Sequence, residues 1–259
     1  MALTYALWLG IIALQSLLVL RLLRLQLVVR YPYFFVALTL IWTINIARWV
    51  TYHQWISFYP WIFWISELLW ILSGFLVVWE IFRQTLSSFP AVRQRASWCM
   101  LVVVLVVLAS HVLLLGSDGV GWDKVTLLVA RWTLQVEEWL RLLQAVLLAG
   151  MVGVVRHYQL PLGRNIAGLA VGFGLFVSLT VVNFAFQALA NIDLTRFSHL
   201  YGGTSLLALA IWCHAFWVYA PNPAPARVAH LEEDYARLNA AVSTAMMQLQ
   251  TNLRKALGV

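Results

Sequence analysis

The chain has 259 residues, 63% of them hydrophobic and 10% charged, with a formal net charge of +7. A soluble domain carries about 45–50% apolar and about 25% charged residues, so the composition excludes an ordinary water-soluble fold and implies a membrane protein. Only Lys124 and Lys255 are lysines, and the arginines are spread over short loops; that distribution fits membrane topology and argues against a nucleic-acid partner.

The first apolar span is expected at about 4–20. No basic residue precedes it and no small-residue cleavage site follows it, so it reads as a retained span rather than a cleaved leader. Arg21, Arg24 and Arg30 follow, and the run 17–29 is expected to carry the chain along the inner surface as a helix. Span two is expected at about 31–50, with Pro32 suited to a first helical turn and Asn45 and Arg48 near its far end. Span three, about 58–82, has Glu67 roughly a third of the way down and Glu80 near its inner end. Span four, about 98–115, is nearly pure Leu and Val, broken by Ser110 and His111.

Span five, about 124–151, departs from this pattern. It carries Arg131, Gln135, Glu137, Glu138, Arg141 and Gln144 where a membrane span ordinarily carries no charge. At 100° per residue, Arg131, Gln135 and Glu138 share a face, and Glu137 and Glu138 both lie one turn before Arg141. A charge at the bilayer centre costs about 2.5–3.5 kcal/mol on insertion scales, so these groups are expected to face the bundle interior. Either they form a neutral cluster that fixes helix register, or they line a cavity for a ligand, ion or proton.

Span six, about 165–189, contains Gly168-x-x-x-Gly172, a spacing that lets helices approach closely, and a polar patch at Asn183 and Gln187. Span seven, about 199–220, begins with a small, polar turn at Gly202, Gly203, Thr204 and Ser205 and has His214 in its inner half. With seven spans, the expected inner segments hold twelve basic residues and the outer ones three, namely Arg48, Lys124 and Arg196. That bias predicts the N-terminus outside and the C-terminus inside. Residues 221–227 read as a proline-rich linker. Residues 228–259 read as a cytoplasmic amphipathic helix whose Leu231, Tyr235, Leu238, Val242, Ala245 and Leu249 follow coiled-coil spacing.

Several cross-helix groupings follow. Arg48 and Glu67 fall at similar depth on consecutive spans, which predicts an outer-side ion pair. Trp49, Tyr52, His53, Trp55, Phe58, Tyr59, Trp61, Phe63 and Trp64 concentrate at one interface, where Trp and Tyr ordinarily form a belt. Asn45, Trp49, Trp61, Trp64, His111 and Asn183 are the candidate pocket or partner face, for a lipid-like ligand or another membrane subunit. Outer-side histidines such as His111 or His199 are the candidate axial ligands if a haem were bound; the expected set of cofactors is otherwise empty, with a bound lipid plausible. Cys99 and Cys213 form neither a CxxC pair nor a metal pattern. Hydrolase, zinc-protease, P-loop and dinucleotide motifs do not occur, and the last span lacks the lysine that a retinal Schiff base requires.

The segments Trp64-Ile-Ser-Glu67 and Val78-Trp-Glu80-Ile-Phe-Arg83, with Phe89-Pro-Ala-Val-Arg93 after them, resemble a family of small seven-helix bacterial inner-membrane proteins to which no activity attaches. The layout is also similar, in architecture alone, to the seven-helix sensor modules of bacterial histidine kinases. The expectation is therefore an all-α bundle of seven spans (1–220) in a bacterial inner membrane, without enzyme activity. It would sense or scaffold, alone as a homodimer or with a partner met by its C-terminal helix. Two alternatives stand beside this: an accessory subunit packing through its Trp-rich face, and a small transporter using the polar stripe of span five.

Overall fold

The computed structural model describes residues 2–87, 89, 93–95, 98, 100–106, 109, 125–190, 194–221, 233, 236–237 and 239–248; within these, the side chains of 2, 125–135, 187–190 and 194–197 stand outside the description. Among the described residues all regular structure is helical. Six long helices follow one another: α1 (Ala2–Arg24), α2 (Pro32–Gln54), α3 (Tyr59–Thr85), α4 (Val125–His157), α5 (Arg164–Ala190) and α6 (Leu194–Trp217). Each contains a stretch long and apolar enough to cross a membrane, and the chain is a multi-pass membrane protein. Residues 100–106 and 239–248 are also helical; half of the fourth predicted span, His111 included, lies outside the described residues.

The helices close a ring. Each packs on the next, α6 returns to α1, and α3 also touches α5 across the middle. The end that carries Thr4, Gln54, Tyr59 and His199 is termed the upper end below; Arg24, Thr85, Arg164 and Trp217 mark the lower end.

Local chemistry explains how the helices start and stop. Pro32 and Pro60 occupy the first turns of α2 and α3, where a missing N–H costs nothing because it would lack a partner anyway. The expected surface helix over 17–29 does not form. Instead α1 runs on to Arg24, and the chain turns at Gln26, which takes φ 53°. Leu27 N bonds back to Leu22 O and Gln26 N to Leu23 O, the wrapping pattern of a left-handed helix stop. The same device ends α4: Gln159 has φ 49° and Leu160 N bonds to Val155 O.

The N-terminus of α2 has no side-chain cap of its own. Glu80 supplies one from α3, accepting the Tyr33 N–H at 2.9 Å and the Phe34 N–H at 3.4 Å. The same carboxylate holds Arg83 at 2.8 Å and Gln84 at 3.0 Å. A fully buried negative charge thus meets the positive end of a helix dipole and a guanidinium together.

The lower half of the ring is filled solidly. Phe34 stacks on Phe216 with centroids 5.2 Å apart and meets the Trp212 edge at 5.2 Å, while Tyr31 closes on Phe216 from below. Tyr31 lies between α1 and α2, where burial, reinforced by the nearby Tyr219, pushes its phenol up to about 12. Asn165 ties the start of α5 to the end of α6, donating 2.7 Å to Ala215 O and accepting 2.9 Å from Ala220 N. Gly168 and Gly172 make the α5–α6 contact close. A Cβ on Gly168 would collide with the Ala215 Cβ, and one on Gly172 would lie 2.5 Å from Nε1 of Trp212.

Candidate functional site

The upper half is hollow where the lower half is packed. A cavity of about 540 Å³ opens between α1, α2, α3, α4, α5 and α6, within the size range of about 300–1,000 Å³ usual for small-molecule pockets. Its walls combine aromatic faces from Trp8, Tyr59, Phe63, Trp64 and Trp70 with the polar groups of Asn45, Arg48, Glu67, Glu137, His199 and Tyr201. A second, small space of about 30 Å³ lies directly beneath, bordered by Gln15, Ser73, Gly74 and Arg141.

The first polar assembly joins α2 to α3. Arg48 Nη2 lies 2.8 Å from Glu67 Oε2, with both side chains almost wholly buried. Arg48 Nε donates to Ser66 Oγ at 2.7 Å, and Nη2 also donates to Phe63 O at 3.1 Å. Its guanidinium carbon sits 4.6 Å from the Phe63 ring centre and 5.6 Å from that of Trp70. These contacts fit a delocalised cation, which a lysine would not reproduce.

The second assembly joins α4 to α6 and α3. Arg141 is fully buried. Its Nη2 donates to Tyr201 OH at 3.2 Å and its Nη1 to Gln144 Oε1 at 3.2 Å. Its Nε stands 3.5 Å from Glu137 Oε1, within ion-pair range but without a hydrogen bond. Tyr201 OH donates to the same Glu137 oxygen at 3.3 Å. Gln144 Nε2 reaches across to Ile71 O at 2.9 Å, and the Phe176 ring covers the guanidinium at 5.0 Å.

The residues expected from sequence therefore divide. Glu137, Arg141 and Gln144 meet in the interior, and Arg48 meets Glu67. Glu138 does not join them: it is exposed on the outer side of α4 beside the exposed Trp139. Adjacent residues on a helix diverge by about 100°, and the interior face is set by Val136, Glu137, Leu140, Arg141 and Gln144, all buried. Expecting both acids on the inward face was thus wrong for Glu138. The side chains of Arg131, Gln135 and Gln187, and the whole of His111, lie outside the described residues.

The aromatic cluster splits three ways. Tyr59, Phe63 and Trp64 turn into the cavity. Trp55, Phe58 and Trp61 are exposed on the perimeter. Trp49 and Tyr52 meet Tyr5 and Trp8 of α1 edge to face, with Trp8 and Trp49 centroids 5.1 Å apart, and His53 packs against Tyr5. Asn45 is buried and donates to Gln15 Oε1 at 3.1 Å; Asn183 is buried on α5. His199 closes the rim with Thr4, 3.1 Å between Nε2 and Oγ1. Among the described residues no group of three His, Cys, Asp or Glu side chains is placed to hold a metal.

Nothing in the sequence alone marks Tyr201, Gln15 or Gly74 as part of the site. A lone Tyr in an apolar span ordinarily reads as an interface residue, and only its position one wall away from Glu137 gives it a polar role. No family model, no curated protein and no solved structure matches the chain.

Proposed function

We propose that the chain is a ligand-sensing module of a bacterial inner membrane, without catalytic activity. In this reading it has seven spans, its N-terminus outside and its C-terminus inside. The carrying observation is the cavity itself. Arg48, Glu67 and Glu137 line it, while Arg141 borders the small space beneath, so the charged groups contribute wall to interior space rather than serving helix register alone. The aromatic floor formed by Phe34, Trp212 and Phe216 closes the lower half, which favours a binding pocket over a through-passage.

Helix α3 is the element suited to pass on occupancy. It bears Glu67 at the cavity and runs down to Glu80 and Arg83 at the lower end. Beyond it Arg95 donates to Asn239 of the helical run 239–248. In the proposed topology that run is the cytoplasmic helix, whose exposed Val242, Met246 and Met247 meet a partner or a second copy.

Native mass spectrometry of the protein extracted from its own membrane in mild detergent tests this reading. The expected result is a small multiple of 29.4 kDa plus a residual mass. That mass should be lost in Ser205→Trp, which fills the cavity. A bare polypeptide mass in both proteins counts against ligand binding. A mass dominated by other polypeptides favours an accessory subunit instead, packed through the exposed perimeter of Trp55, Phe58 and Trp61.

A further inference from the structure

The chemistry of the cavity wall narrows what it takes, on the premise that it binds a ligand at all. We infer that the ligand is an uncharged amphiphile with a flat apolar body and a head bearing at least two hydroxyl-type hydrogen-bond donors, as in a diphenol.

The first argument is charge balance. Among the described side chains at the cavity and its floor, two guanidiniums face two carboxylates, each with its own partner: Arg48 with Glu67, and Arg141 with Glu137. A ligand of either sign would bring an uncompensated charge into a low-dielectric interior, where desolvation is costly unless a counter-charge stands ready. An uncharged ligand leaves the balance intact.

The second argument is the state of the carboxylate oxygens. Arg48 engages Oε2 of Glu67, while Tyr201 and Arg141 both lie on Oε1 of Glu137. Among the described residues no hydrogen bond reaches Oε1 of Glu67 or Oε2 of Glu137, although both side chains line the cavity and are more than nine-tenths buried. An ionised carboxylate only accepts, so the complementary group is a donor. Arg48 Nε and Nη2, Asn45 Nδ2 and the Tyr201 hydroxyl already bond to protein acceptors. A hydroxyl donates to a free carboxylate oxygen and can still accept, which an ammonium cannot.

The third argument is shape. Trp8, Tyr59, Phe63, Trp64 and Trp70 present ring surfaces to one space, and rings stack favourably on flat apolar partners.

The test uses the purified full chain in lipid nanodiscs, with tryptophan fluorescence as readout because Trp8, Trp64 and Trp70 line the cavity. Four probes share one hexyl tail: hexylhydroquinone, its dimethyl ether, hexyltrimethylammonium and heptanoate. Hydroquinone is expected to bind about tenfold or more tightly than its ether, since each lost bond to a charged acceptor is worth that much. Ser205→Trp and, independently, Leu7→Trp should abolish binding, so that failure of one variant to fold leaves the other to decide. Equal binding of hydroquinone and ether, or tighter binding of the ammonium or carboxylate, overturns the ligand class while leaving a ligand-binding cavity intact. If no probe distinguishes wild type from both filled variants, the class is overturned, and the residual mass in native mass spectrometry then decides the broader reading by itself.

Discussion

Gly74 of α3 lies directly against the side-chain amide of Gln144 on α4: a Cβ at residue 74 would stand 2.5 Å from Nε2 and 3.1 Å from Cδ and Oε1. That amide donates to Ile71 O and accepts from Arg141. The missing side chain at residue 74 thus gives the buried guanidinium its supporting acceptor. In Gly74→Ala, Gln144 must move and both bonds are lost. Interhelical hydrogen bonds in membranes average about 0.6 kcal/mol and reach about 1.7 kcal/mol, while alanine regains up to about 1 kcal/mol of helix propensity. The net expectation is a loss of about 1 kcal/mol in detergent unfolding. In a Gln144→Ala background the sign should reverse, with Gly74→Ala neutral or stabilising. A cost that persists there would mean that something other than Gln144 excludes the methyl group.

The neighbours Glu137 and Glu138 provide a sharper contrast. Glu137 is buried against Arg141 and Tyr201, whereas Glu138 is exposed. Glu137→Gln leaves a fully buried guanidinium without its counter-charge and should cost about 3 kcal/mol or more, the usual consequence of breaking a buried pair. Glu138→Gln breaks no ion pair among the described residues and should be near neutral or stabilising, since a carboxylate on the apolar perimeter of a span is itself unfavourable. Parallel thermal unfolding of the two variants in one detergent checks this, and equal losses would return Glu138 to the interior.

These two positions also show what is legible from sequence. The existence and approximate limits of six of the expected spans follow from apolar length alone, because a bilayer fixes how many residues a helix must spend inside it. The Arg48–Glu67 contact follows from depth-matching on consecutive antiparallel spans. Which of two adjacent acids faces inward does not follow: one residue changes the direction by about 100°, and neighbours on both sides of the helix set the rotation. The cavity is legible only in part: Asn45 and Trp64 of the expected pocket face do line it, but its outline does not follow from sequence. It arises because side chains far apart in the chain, such as Thr4, Glu137 and Tyr201, fail to fill a common space. Glycine spacing sits between these cases. Gly168 and Gly172 announce a close contact, but only the fold supplies Ala215 and Trp212 as its other half.

Arg48 and Glu67 form the tightest charged contact bordering the cavity, at 2.8 Å. Arg48→Met and Glu67→Gln should each destabilise by about 3 kcal/mol, since either leaves a charge buried without its partner. The double variant should lose less than the sum of the singles, because nothing ionised then remains at the site. Its unfolding midpoint should recover to near or above that of the better single variant. Strict additivity would show that the pair carries no coupling, and that Arg48 is held by Ser66, Phe63 and Trp70 alone.

At the lower end, two glutamines hold a conformation that suits glycine. Gln26 and Gln159 have φ of 53° and 49° where α1 and α4 stop. A left-handed backbone costs a residue with a Cβ about 1–2 kcal/mol, and glycine removes that cost while giving back part of it as greater freedom of the unfolded chain. Gln159→Gly should therefore raise stability by about 0.5–1 kcal/mol, since the wrapping bond from Leu160 N to Val155 O is made by backbone alone. Gln159→Val should lower it, because a β-branched side chain tolerates this region worst. The paired comparison isolates the backbone from any loss of the glutamine side chain, which both variants share. If glycine and valine shift the unfolding midpoint in the same direction by the same amount, the left-handed turn at residue 159 is not what limits the end of α4.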